Sequence, residues 1–390
     1  MDPRGVAVSG ERILVLGAGI GGLVASSVLK EELGGRARVT VIDRKTHFQF
    51  PPSYPWLMLG LRRPDQVQRS LGALRRRGIE VVNDEIVSIN TGSRVVRTAG
   101  REFPYDHLIL AMGADLVPDA VPGFREHAHH VYDLDAALRF KGAIERFEAG
   151  TVAVGVARLP FKCPAAPYEV ALLLHDHFTK RGIIDRVRFE FFTPEGQPVP
   201  SVGPEVGAKV LGFLRSKGIA YRPKLKVSEI EAERVRFESG ETILYDLLFC
   251  VPPHRAPKAV VEAGLADETG WVAVNPRTLE TRVAGVYAVG DVTALPTPKG
   301  FVPFLPKAGV FAHGQAEVVA HNIAVRVKGR GRPTEWDGKG ACFLETGRGQ
   351  SAFVRGRFLE EPPKVEFYMP GRTWHMQKAL FEKYWMHHWF

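Results

Sequence analysis

Cys163 lies between Lys162 and Pro164 in ARLPFKCPAAPYE, a turn that carries Pro160, Pro164 and Pro167 and has no glycine after Gly155. The residues before it (Val152 onward) read as a buried strand, and those after it, up to Leu174, as a helix opening. A thiol at the approach to a helix, next to a lysine, is in a setting that favours thiolate. Cys163 is therefore predicted to be a reactive sulfur, with Lys162, Tyr168 and Glu169 as its nearest polar company. A strand–turn–helix unit that binds a dinucleotide needs a glycine-rich turn here. Proline removes amide donors, and side chains fill the space that phosphate needs. This turn is therefore predicted not to take a pyrophosphate, and NADH is an unfavoured electron donor.

A second set of residues has the opposite character. Gly17, Gly19 and Gly22 form GxGxxG directly after apolar Ile13–Leu16, and Asp43 ends the next apolar segment, about 20 residues beyond the last glycine as the dinucleotide fingerprint requires. Gly17 permits the turn, Gly19 lets backbone approach a pyrophosphate, and Gly22 lets helix and strand pack closely. The helix N-terminus faces the phosphates, and Asp43 accepts from ribose hydroxyls. Ala18 and Arg44 fall within these two segments and complete the predicted cradle.

Three cysteines, Cys163, Cys250 and Cys342, make neither a disulfide scaffold nor a zinc site, since no pair has ligand spacing. Cys250 ends the apolar run LLFC and reads as structural. Cys342 lies in the first strand of a hairpin spanning 338–356, and spacing alone leaves open whether it meets Cys163. The net charge of +9 favours anionic partners. No basic, aromatic-interleaved module of a nucleic-acid binder is present, so nucleic acid is not an expected partner. The N-terminal stretch has no leader-like apolar core, and no apolar run approaches the ~18 residues of a spanning helix. A cytoplasmic face is therefore expected.

The elements that must position these residues follow from two further segments. One is a buried strand ending in Ala111-Met112-Gly113. The other is a buried strand ending in Gly290-Asp291. Both resemble the paired signatures of two-dinucleotide-domain flavoproteins. That resemblance implies FAD, with Asp291 toward the ribityl chain and Ala111 and Gly113 in the cofactor set. The fold class is α/β, two Rossmann-like units and a C-terminal segment. Residues 1–120 form the first part of the FAD domain. Residues 121–253 form an inserted, degenerate NAD-type unit, residues 254–330 the second part of the FAD domain, and residues 331–390 the C-terminal segment.

Four stretches make the likeness more specific. They are HFQFPPSYPWLMLGL (47–61), FKCPAAPYE (161–169), FVPFLPKAGVFAHGQAEVVAHNI (301–323) and GACFLETG (340–347). Together they resemble the sulfide:quinone oxidoreductase and flavocytochrome c sulfide dehydrogenase family. The resemblance implies a disulfide or polysulfide-bridged pair, Cys163 and Cys342, on one face of the flavin. Hydrosulfide would attack the bridge, and Cys342 would pass electrons to the ring. Glu169 and Lys162 would attract hydrosulfide or move protons, and Lys307 would stabilise charge on the reduced ring. Phe301, Phe304 and Phe311 would line a quinone slot. One departure stands out: many sulfide:quinone oxidoreductases carry a further cysteine where this chain has EHAHHVYDLDAA, with Tyr132 near that place and His129 and His130 read as exposed loop residues.

The segment GRTWHMQKALFEKYWMHHWF places Trp374, Phe381, Trp385 and Trp389 near one helical stripe, flanked by Lys378 and Lys383. Rings and cations in this arrangement suit a helix lying on a membrane surface. The alternatives are packing on the domain or at a homodimer interface. The expected function is oxidation of sulfide with a membrane quinone as acceptor. A flavocytochrome c flavin subunit and a type II NADH:quinone oxidoreductase are the rival readings.

Overall fold

The structure, a computed structural model, describes residues 10–297 and 301–390. The start of the N-terminal stretch, up to residue 9, lies outside the described residues. Apolar runs such as Ile13–Leu16 and Val39–Ile42 suit strands covered on both faces, which is what parallel sheets require. The chain begins with β1 (Glu11–Leu16), α1 (Ile20–Leu33), β2 (Ala37–Asp43), β3 (Glu80–Asn83) and β4 (His107–Leu110). It then builds a second unit from β5 (Gly150–Val156), α2 (Ala166–Lys180), β6 (Val187–Phe192), β7 (Ala220–Arg222) and β8 (Leu247–Val251). These four strands are parallel, in the order β7-β6-β5-β8.

The chain returns to the first sheet with β9 (Val286–Ala288), which pairs with β4 and completes the parallel order β9-β4-β1-β2-β3. The long helix α3 (Gly309–Lys328) packs along α1. Glycine makes that approach possible, because a Cβ on Gly21 would lie 2.9 Å from Val289 and 3.6 Å from Ala312. The result is the α/β arrangement of two Rossmann-type units.

A three-stranded antiparallel sheet follows: β10 (Lys339–Gly347), β11 (Gln350–Arg357) and β12 (Lys364–Gly371). It packs on α2 of the second unit and leads into α4 (Arg372–His388). Helix α4 seals the loop 47–61 against the molecule. Trp385 stacks on Phe48 at 5.9 Å and lies 6.0 Å from Phe50, and Trp389 reaches His313 at 5.6 Å. Rings of this size bury a large apolar area each.

Candidate active site

The cofactor cradle forms where β1 meets α1. Gly17 has φ +93°, and a Cβ there would lie 2.5 Å from Ala111 O, so only glycine suits the turn. A Cβ on Gly22 would lie 1.9 Å from Gly17 O, whereas one on Gly19 would meet nothing within 4 Å. Gly19 thus opens onto space, as a backbone that must admit a pyrophosphate should. Asp43 is held at the mouth: its Oδ2 accepts from Ala18 N at 2.6 Å and its Oδ1 from Lys45 N at 2.7 Å. Arg44 is exposed, 3.8 Å from Asp115. Beside it a cleft of about 610 Å³ is lined by Lys45, His47, Gln49, Asp133 and Arg139.

Across the cradle, Ala111 N donates to Leu16 O at 2.8 Å, and Gly113, at φ +69°, faces open space. Gly290 N donates to Gln315 Oε1 at 2.7 Å. Asp291 follows, and its buried Oδ1 has no hydrogen-bond partner among the described residues. An orphaned carboxylate oxygen calls for a donor. Burial pushes the Asp291 carboxyl up, against the charges of Lys162 and Lys307. Lys307 Nζ donates to Asp291 O at 2.7 Å and Thr293 O at 3.1 Å, and lies 3.3 Å from the Trp271 ring centroid. Burial pushes its amine down to about 8, with Asp291 opposing. FAD would fit this donor and acceptor set, with phosphates at Gly17–Gly22, a ribose at Asp43 and ribityl hydroxyls at Asp291.

The sulfur turn is tied to the same cradle. Cys163 N donates to Lys307 O at 2.7 Å, and Cys163 O accepts from Ala166 N at 2.9 Å, which opens α2. Cys163 has φ +56°, a left-handed conformation that costs a non-glycine residue about 1–2 kcal/mol and recurs at functional sites. The expected thiolate is not what the surroundings favour. Burial pushes the Cys163 thiol well up, and the charges of Cys342 and Glu169 add to it, with Lys378 opposing. Burial also pushes the neighbouring Lys162 amine down. Cys342, in β10, is pushed up to about 11 by burial and then by Glu169. All three cysteines are free thiols, so the bridge implied by the resemblance is not formed in this structure. Cys250 is fully buried in β8.

Glu169, six residues beyond Cys163 on α2, is a buried ion-pair partner and not a surface one. Its Oε1 accepts from Lys378 Nζ at 2.7 Å and from Glu345 N at 2.9 Å. Glu345, three residues beyond Cys342, accepts from Ser351 Oγ at 2.6 Å, lies 3.0 Å from His375 Nδ1 and is 3.8 Å from Lys378. Burial raises Glu169, with Lys378 opposing. Burial acts to lower Lys378, but its two carboxylates outweigh it and the ammonium is held above its ordinary value. Trp56 roofs the cluster, 4.7 Å from Lys378 Nζ and 4.4 Å from the Arg62 guanidinium.

Three expectations are corrected here. Lys378 faces the cysteine site and not lipid. Trp385 and Trp389 are buried, and Trp374 and Phe381 are half-buried, so the ring stripe turns into the protein. The outward face of α4 instead carries Met376, Leu380 and Tyr384, at 60%, 62% and 49% exposure. Phe311 is buried against Trp336 and Phe358, with its ring over Gly340, and it lines a small cavity with Gly290, Leu305 and Lys307. Phe301 and Phe304 are 44% and 42% exposed. His129 and His130 are half-buried, His129 being stacked on Phe140 at 5.3 Å. Sequence reasoning missed Glu345, His375, Trp56 and Trp271 altogether. The one available signal was Lys378 itself, a cation one turn beyond Trp374 on the stripe.

Residues 11–316 match the pyridine nucleotide-disulphide oxidoreductase family. The chain is 27% identical to the sulfide-quinone reductase of Aquifex aeolicus, over 96% of this chain and 90% of that one. It is 24% identical to the mitochondrial sulfide:quinone oxidoreductase of Mus musculus, over 90% and 79%. The crystal structure of the sulfide:quinone oxidoreductase of Aquifex aeolicus superposes with a TM-score of 0.89 at 26% identity, covering 97% of this chain and 91% of that one. A glycine turn open to phosphate, a buried Asp291 oxygen without a partner among the described residues and a match across both Rossmann-type units agree: the protein is an FAD-dependent oxidoreductase that belongs to the pyridine nucleotide-disulphide oxidoreductase family.

Proposed function

We propose that the protein oxidises hydrosulfide at Cys163 and Cys342 and passes the electrons to a membrane quinone. The observation that carries this reading is the sulfur turn. Where a pyridine-nucleotide site needs glycine, the chain has Cys163, bonded through its backbone to Lys307 of the cofactor cradle. The likeness to sulfide-quinone reductases supports the same chemistry.

In the oxidised pair, hydrosulfide attacks Cys163 Sγ, the S–S bond breaks, and Cys342 leaves as thiolate. Lys378 stabilises that thiolate, and its ion-pair partner Glu169 holds the ammonium in place. A second hydrosulfide removes the outer sulfur as hydrodisulfide and leaves Cys163 reduced. The pair closes again as two electrons depart, so two hydrosulfides yield one hydrodisulfide, one proton and two electrons. Bound FAD supplies the two-electron relay between the pair and quinone.

Quinone lies in lipid. Among the described residues no helix is long and apolar enough to cross a membrane. The outward face of α4, with Met376, Leu380, Tyr384 and Lys383, and nearby Leu61, provides the apolar and cationic surface for peripheral attachment at the cytoplasmic side. Phe301 and Phe304 remain candidates for contact with quinone. The test is decylubiquinone reduction by the FAD-loaded protein with sulfide and with NADH as separate donors. Sulfide-driven turnover that collapses in Cys163→Ser is expected. NADH-driven turnover that survives the substitution overturns the reading, and flavin bleaching without quinone turnover points to a haem-protein acceptor.

A further inference from the structure

Beside the Cys163 turn, beyond the carboxyl ends of the paired strands β5 and β8, lies a polar cluster that the proposed sulfur steps do not use. Tyr132 and His254 meet edge-on, with ring centroids 5.3 Å apart. They are 9% and 8% exposed, and among the described residues neither Tyr132 Oη nor His254 Nε2, both buried, has a hydrogen-bond partner. Lys162 Nζ lies 5.9 Å from the Tyr132 ring. Among the described residues no carboxylate comes within 4.0 Å of that ammonium, although Asp291 and Asp133 act on it from further away. Unpaired buried polar atoms and a half-buried cation without a close counter-ion are costly unless something binds them.

The geometry also selects the ligand. His254 Nδ1 is 2.8 Å from Pro252 O, so Nδ1 carries the hydrogen and Nε2 is left as an acceptor. Lys162 and Tyr132 are donors. The complement of two donors and one acceptor is a small monoanion that itself carries one hydrogen. We propose that Lys162, Tyr132 and His254 form a hydrosulfide-binding site that takes the substrate as an anion before it reaches Cys163. The proposal rests on the sulfide reading above. Lys162 and Tyr132 direct hydrogens at the sulfur, and the S–H donates to His254 Nε2.

The experiment is calorimetric titration of the FAD-loaded Cys163→Ser protein, which binds without turnover, with sulfide and separately with thiocyanate. One saturable sulfide site is expected, weakened about tenfold or more by Lys162→Met and by Tyr132→Phe, the equivalent of ~1.4 kcal/mol. His254→Phe should weaken sulfide but not thiocyanate, which has no hydrogen to donate. Near-UV circular dichroism and flavin content show whether each variant is folded, and Lys162→Gln, Tyr132→Leu or His254→Leu replaces any that is not. Absence of saturable binding, or binding unchanged in Lys162→Met and Tyr132→Phe, overturns the site. Wild-type protein that binds sulfide here but does not oxidise it overturns the proposed function and leaves the site standing.

Discussion

Lys378 Nζ lies 2.7 Å from Glu169 Oε1, with both side chains only 6% exposed, which fastens α4 to the helix that follows the sulfur turn. A buried ion pair is a weak net stabiliser, but removing one partner strands the other charge. Lys378→Met is therefore expected to cost about 3–5 kcal/mol in urea denaturation. The double variant Glu169→Gln, Lys378→Met should lose clearly less than the two single losses added together, because no charge is stranded and Glu345 keeps His375. Additive losses would show that the two side chains act independently.

The same cluster sets the reactivity of the thiols. With Cys342 pushed up to about 11 from an ordinary 9.0, its thiolate fraction at neutral pH falls ~100-fold. Iodoacetamide labelling of the reduced protein, read by peptide mass spectrometry, should be correspondingly slow at Cys342 and rise with pH toward that value. Glu169→Gln removes a charge that raises the thiol and should speed labelling, whereas Lys378→Met removes one that lowers it and should slow it. Cys250, fully buried, should stay unlabelled in every folded variant. A faster Lys378→Met protein would contradict the electrostatic assignment.

What the sequence disclosed and what it hid differ in range. Gly17, Gly19, Gly22 and Asp43 are legible because the turn chemistry that needs them lies within one strand–helix–strand unit. The glycine-free turn at Cys163 is legible for the same reason. Lys378 was misread because an aromatic stripe on a helix looks alike whether it faces lipid or core, and the carboxylate that decides between them is 209 residues away. The direction of the Cys163 shift was hidden in the same way. Lys162 and the helix approach are local and favour thiolate, whereas burial by β10 and α4 is tertiary and prevails.

Glu195, three residues beyond β6, carries a pH signature separate from the sulfur site. It is buried, with Tyr168 Oη 3.3 Å and Thr193 Oγ1 3.4 Å from its Oε2, and burial pushes its carboxyl up to about 7. The folded protein then holds the proton more tightly than the unfolded chain. The stabilisation is complete below the unfolded value near 4.5 and is lost as pH rises through about 7. The full change is about 3 kcal/mol. Stability measured in urea should fall across that window through this group, and Glu195→Gln should flatten that part of the profile. A profile unchanged by the substitution would place the titration elsewhere.

The two faces of α4 make opposite predictions for membrane binding and stability. Met376, Leu380 and Tyr384 recur every four residues and are exposed, so Leu380→Glu should leave folding within about 0.5 kcal/mol of wild type. The same change places a carboxylate where acyl chains would pack, and co-sedimentation with anionic vesicles should drop. Trp385→Ala empties a site packed by Phe48 and Phe50 and should cost about 3–5 kcal/mol. Because that ring faces inward, its loss should reach vesicle binding only by loosening the helix. Milder packing changes there, such as Trp385→Phe, should leave co-sedimentation intact. If Leu380→Glu sediments like wild type while Trp385→Phe does not, the membrane face is the inward stripe, and α4 must turn over to use it.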